Sequence, residues 1–160
     1  MLMKKKVILY SIFLFLIDQI TKFLFDKLLV LNKPLRVFEK FLYLTKSYNT
    51  GVSFSMLKNA GILIILLSLV ILVFLWRYQK SFEENERNII AFSLVYGGLI
   101  GNLVDRIVRG HVVDFLDFYI FNLDFPIFNF ADICICCGVG FLLYAIYKGE
   151  DNENSSRRSK

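Results

Sequence analysis

The chain has 160 residues, carries a net charge of +5 and is 56% hydrophobic, against roughly 45–50% for soluble domains; its mean hydropathy is +0.56. A soluble fold of this size would struggle to hide that much apolar surface, and no nucleic-acid motif accompanies the basic residues, which flank apolar runs as they do beside anionic lipid headgroups. Cys134, Cys136 and Cys137 fall within one apolar run, an arrangement that argues against a disulfide framework and offers too few donors for a metal centre, so they read as small packing residues.

A short basic head, with Lys4, Lys5 and Lys6 together, precedes the first apolar run at 7–25. That run has no small-residue cleavage site and is read as a retained span. Asp18, Thr21 and Lys22 near its end share one helix face at i, i+3, i+4, either as an ion pair anchoring the helix or as support for a site made with other spans. Residues 26–59 form the longest non-spanning segment. Its odd-numbered apolar positions Leu35, Val37, Phe41 and Tyr43 predict short strands, pictured as a small β-rich cap. Asn49-Thr50-Gly51 is a turn signal. Span 2 covers 60–76 with Ser68 as its polar side chain, and a charged loop follows at 77–88.

Span 3, at 89–108, contains Gly97, Gly98 and Gly101, which would let a neighbouring helix come close. Asn102, Asp105 and Arg106 then repeat the i, i+3, i+4 spacing on its last turns. Residues 114–121 (DFLDFYIF) suggest an aromatic interfacial helix or loop. Span 4 runs over 127–147, with Pro126 placed at its first turn and Asn129 and Asp132 near its start. The fold class expected is therefore an all-α polytopic membrane protein of four transmembrane helices with a β-rich extracytoplasmic cap. Residues 1–148 would form a single embedded domain and 149–160 a polar, disordered cytoplasmic tail.

Antiparallel spans bring Asp18, Asn102, Asp105, Arg106, Asn129 and Asp132 to one depth. Asp18 lies about 16 Å of helix rise from the start of span 1. Lys and Arg number ten on the side of the termini and nine on the other, so the lysine cluster before span 1 decides for cytoplasmic termini. Ionisable groups at membrane depth suggest a functional site. The single His111 excludes a His-rich metal site, which leaves carboxylates. Two carboxylates held close cannot both ionise easily, so one can act as acid and the other as base toward water. The residues alone leave two readings open: a hydrolase, or a proton- or cation-coupled transport component.

Five motifs in order, DQITK at 18–22, NTGVSFS at 49–55, GGLIGNLVDR at 97–106, GHVVDF at 110–115 and FNFAD at 128–132, resemble bacterial lipoprotein signal peptidase, or signal peptidase II. The resemblance implies an intramembrane aspartyl endopeptidase of the inner membrane, with its site toward the outer face. Such an enzyme removes the signal peptide of prolipoproteins before a diacylglyceryl-modified cysteine. It implies Asp114 and Asp132 as the catalytic pair. Asp18, Lys22, Asn49, Gly51, Gly98, Asn102, Asp105, Arg106 and Asn129 would shape the site or hold substrate. No metal, cofactor or nucleic acid is implied. The partners expected are prolipoprotein substrates and membrane lipids, and the enzyme is expected to act as a monomer. Two positions depart from the family: Val52-Ser53 stands where two small alanines are frequent, and Ile133 where serine is usual. The segments 26–59 and 114–125 are expected to clamp the substrate from opposite sides.

Overall fold

Residues 2–39, 41–51, 61–120 and 123–151 are described in a computed structural model. Four helices, α1 (Leu2–Leu28), α2 (Gly61–Tyr78), α3 (Glu86–Arg109) and α4 (Phe130–Lys148), alternate with strands β1 (Leu35–Phe38), β2 (Leu42–Asn49), β3 (Val112–Ile120) and β4 (Leu123–Asp124). Each helix is long and apolar enough to cross a bilayer. Large apolar side chains such as Leu9, Phe13, Ile62, Val70, Leu143 and Tyr147 face outward, as lipid-facing surface must.

The amphipathic α3 is the central helix and packs on both α1 and α4. Its ends are sharply defined. The Asn85 side chain caps the Asn88 N–H at 2.8 Å, and Gly110 closes the helix in the left-handed region at φ 75°, where glycine has no steric penalty. Glycines set how closely the helices approach. A Cβ on Gly97 would lie 2.8 Å from Leu14 Cβ of α1, one on Gly98 would lie 2.4 Å from the Ala131 carbonyl oxygen, and one on Gly138 would lie 2.6 Å from Val95 Cγ2. Toward the amino-terminal end of α1, the interior is apolar and includes Met3, Val7, Phe82, Phe92, Val95 and Ala145. Toward the other end it becomes polar. Helix α2 buries no side chain and packs chiefly on α3, in keeping with its largely apolar sequence.

The strands form one antiparallel sheet in the order β1-β2-β3-β4. Of residues 114–121, expected as an interfacial helix or loop, 114–120 belong to strand β3, which pairs with β2, Ser47 opposite Asp114 and Asn49 opposite Val112. Among the described residues, the two segments expected to act as opposing jaws are joined edge to edge through β2 and β3. The sheet is tied to α1 by Phe25 stacked on Phe115 at 4.3 Å, and by Lys46 and Tyr48 donating to Asp26. Helix α4 begins at Phe130 rather than at the expected Ile127, because Asn129 and Asp132 form a reciprocal capping box there. Residues 149–151, at the start of the polar tail, are held against the connection between α2 and α3. Glu83 N–H donates to the Glu150 carbonyl at 3.0 Å, Asn85 and Arg87 reach the Glu150 carboxylate, and Asp151 bridges Phe82. The rest of the tail lies outside the described residues.

Candidate active site

At the polar end of the bundle, Lys22 of α1 is completely buried. Its ammonium lies 2.8 Å from Asp18 Oδ2, 2.8 Å from Asp105 Oδ2, and donates to Asn102 Oδ1 at 2.8 Å. Ion pairs to both carboxylates and one hydrogen bond to Asn102 thus offset the burial of the cation. Arg109 approaches Asp105 Oδ1 at 3.5 Å, so two cations face two carboxylates. Asp18 Oδ1 accepts the Ala131 N–H at 3.0 Å, one of the backbone donors that the first turn of α4 cannot satisfy within the helix.

This cluster orients the next layer. Asn102 Oδ1 faces Lys22, so its amide nitrogen points the other way and donates to Asp132 Oδ1 at 2.8 Å. Asp132 Oδ2 accepts the Asn129 backbone N–H at 3.1 Å. The Asn129 side-chain nitrogen donates to Asp114 Oδ1 at 2.6 Å and to Asn102 Oδ1 at 3.3 Å. On the sheet side, Asn49 at the end of β2 donates to Asp114 Oδ2 at 3.0 Å and is itself held by the Gly51 N–H at 3.1 Å. Phe128 exchanges backbone hydrogen bonds with Leu116, which sets the stretch before α4 beside β3 and brings Asn129 to Asp114.

Asp114 is 3% exposed, whereas Asp132 is half-buried. Burial pushes the Asp114 carboxyl up to about 6, and the neighbouring Asp132 charge acts in the same direction; the hydrogen bonds from Asn129 and Asn49 act against both. Asn49, Gly51, Ile64, Arg106, Phe128 and Asp132 line a cleft of about 300 Å³. Arg106 is fixed by donating to the Asn102 carbonyl at 3.0 Å. Gly98 lies under the first turn of α4, where any Cβ would displace Ala131. The candidates from α1, α3, the sheet and α4 therefore belong to one connected network.

Sequence reasoning passed over Gln19, whose amide nitrogen lies 3.2 Å from Asp18 Oδ2 and 3.3 Å from Asp105 Oδ1. Its place inside the polar DQITK stretch was the available signal. It also passed over the Ala131 N–H, a backbone group that no side-chain pattern reveals. Of the two departures, Ile133 is exposed on the outside of α4, away from the carboxylates' hydrogen-bond network, and Val52-Ser53 lies outside the described residues. Of the cysteines, Cys134 packs inside and Cys136 and Cys137 face outward.

Residues 10–148 match the sequence model of the family described as Signal peptidase (SPase) II. The chain belongs to the signal peptidase II family. It is 36% identical over 141 residues to a lipoprotein signal peptidase of Halalkalibacterium halodurans, covering 88% of this chain and 90% of that one. Two solved structures, both described as a bacterial membrane enzyme determined by the in meso method, superpose with TM-scores of 0.81 and 0.79 at 33% identity. They cover 89% and 88% of this chain and 87% and 91% of the respective structures. As a signal peptidase II the chain is a membrane peptidase of the aspartyl type. The transport reading that the residues alone had left open finds no support in these relatives.

Proposed function

We propose that Asp114 and Asp132 are the catalytic pair of an endopeptidase that removes the signal peptide from prolipoproteins, cutting before the diacylglyceryl-modified cysteine. The observation that carries the assignment is the Asn129 bridge, which joins both carboxylates at the end of an apolar bundle. Asp114, raised toward 6 by burial, holds the proton and polarises the scissile carbonyl. Asp132 takes a proton from water, which attacks to give a tetrahedral intermediate; Asp114 neutralises the developing oxyanion. Collapse of the intermediate passes a proton to the departing cysteine amine.

Asn49 and Arg106, both lining the cleft, are assigned to the substrate backbone. Asn102, Lys22, Asp18, Asp105 and Gln19 hold the pair in place from behind. Residues 1–148 act as one membrane-embedded unit with both termini cytoplasmic, the sheet capping the site toward the outer face, and no second chain is needed to complete the network. Purified Asp114→Asn and Asp132→Asn should each retain the fold and lose cleavage of a lipidated prolipoprotein in a gel assay. Near-normal processing by either variant would overturn the assignment.

A further inference from the structure

At the end of the bundle remote from the proposed catalytic pair, a polar recess lies beside an apolar groove. The recess, of about 290 Å³, is lined by Lys4, Gln79, Lys80 and Glu84. Gln79 is 1% exposed, and neither polar atom of its amide has a hydrogen-bond partner among the described residues, a costly arrangement unless a ligand completes it. The groove, of about 390 Å³ between α1 and α2, is walled by Val7, Ile12, Phe15, Val73, Trp76 and Tyr96. Recess and groove adjoin on both walls, one helical turn apart: Met3 and Lys4 precede Val7 and Ile8, and Trp76 precedes Gln79 and Lys80. The Lys4 ammonium sits 4.9 Å from the Trp76 ring, so charge and aromatic meet at the level where headgroup gives way to hydrocarbon.

We infer that this is a binding site for one anionic glycerophospholipid. Its phosphodiester lies in the recess on the Lys4 and Lys80 ammonium groups and the Gln79 amide N–H, and an acyl chain lies in the groove. Two lysines against one glutamate leave a single positive charge, which matches a monoanionic phosphodiester. A zwitterionic headgroup would bring a further cation to the lysines. The charge also argues against the signal helix of a substrate as occupant, because its positively charged amino-terminal region would meet the same two lysines. Helix α2, which buries no side chain of its own, would gain a packing partner on its α1 side.

The test is native mass spectrometry of the full-length enzyme, delipidated in detergent and titrated with phosphatidylglycerol or phosphatidylcholine of identical chains. One phosphatidylglycerol should be retained roughly tenfold more tightly than phosphatidylcholine. The Lys4→Gln/Lys80→Gln double variant should lose that preference, and Val73→Trp, which fills the groove from its exposed side, should weaken both lipids. Equal retention of the two lipids by the unmodified enzyme would overturn the inference, as would an unchanged preference in the double variant. Val73→Trp that blocks prolipoprotein cleavage while leaving phosphatidylglycerol retention intact would assign the groove to the substrate helix instead, and would overturn it as well.

Discussion

The Asn129 side-chain amide donates to Asp114 at 2.6 Å, while the backbone N–H of the same residue donates to Asp132 at 3.1 Å. One residue thus fixes the relation between two acids that come from a strand and a helix, and it caps that helix as well. Asn129→Ala should cost about 1 kcal/mol of stability through the lost cap and lower turnover on the order of 100-fold through the lost alignment. Asn129→Ser restores a capping oxygen but not the reach to Asp114. It should recover the melting temperature without recovering turnover, which thermal melts and prolipoprotein cleavage measure separately.

Asp114 rises from its ordinary 3.8 to about 6 in the fold, first because it is buried. The folded state therefore holds this proton more tightly than the unfolded chain does. The stability it contributes is fully present below about pH 4 and is lost as the pH rises through about 6, a change of up to about 3 kcal/mol. Asp114→Asn stays neutral throughout. It gives up one of the two hydrogen bonds from Asn49 and Asn129, a loss of about 1 kcal/mol that does not vary with pH. The stability of the variant relative to the unmodified enzyme should therefore climb between about pH 4 and 7. A difference that stays flat across melts in this window would contradict the assignment of the proton to Asp114.

Replacing Lys22 with methionine keeps much of the volume and removes the charge that Asp18 and Asp105 share. Breaking a buried ion cluster from one side costs about 3–5 kcal/mol. The Asn102 amide would also lose what fixes its orientation toward Asp132. Lys22→Met should melt markedly lower, and Lys22→Met/Asp105→Asn should recover part of the loss because one fewer carboxylate is stranded. Equal melting of the single and double variants would show that the two residues are not coupled.

At Gly98 an added methyl would lie 2.4 Å from the Ala131 carbonyl oxygen and 2.8 Å from Ile135 Cγ1. The carbonyl cannot retreat unless the first turn of α4 moves, and that turn carries Asp132. Gly98→Ala should destabilise by about 1–3 kcal/mol and depress cleavage beyond what the stability loss explains. Gly140→Ala, where nothing lies within 4 Å of the added atom, is the control and should be neutral or slightly stabilising in its helix.

The helices were legible because apolar length is a strong signal, and the Asp18–Lys22 pair was legible because helical spacing places it on one face. Strand β3 was not. Val112, Val113, Asp114 and Phe115 are all buried, so the two-residue alternation that betrays a half-exposed strand is absent, and the aromatics that follow imitate an interfacial belt. Pro126 drew the expected start of α4 forward by three residues, to Ile127, whereas the Asn129–Asp132 capping pattern two residues beyond it was the truer signal. The gathering of polar groups at one depth followed from antiparallel spans. Which oxygen meets which nitrogen did not, since Asn102 and Asn129 are oriented by partners from elements remote in sequence.

The Ala131 N–H that satisfies Asp18 enters the bundle only with the final helix. During synthesis, α1 and α3 can neutralise Asp18, Asp105 and Lys22 among themselves as soon as both are inserted. Asp132 and Asn129 arrive last, so the proposed water-activating pair does not exist on a nascent chain. The two proposed acids therefore meet only once α4 has packed against α1 and α3. The contact that satisfies Asp18 is thus also the one that seats the helix carrying Asp132, so neutralising the buried charge and assembling the proposed pair are a single event.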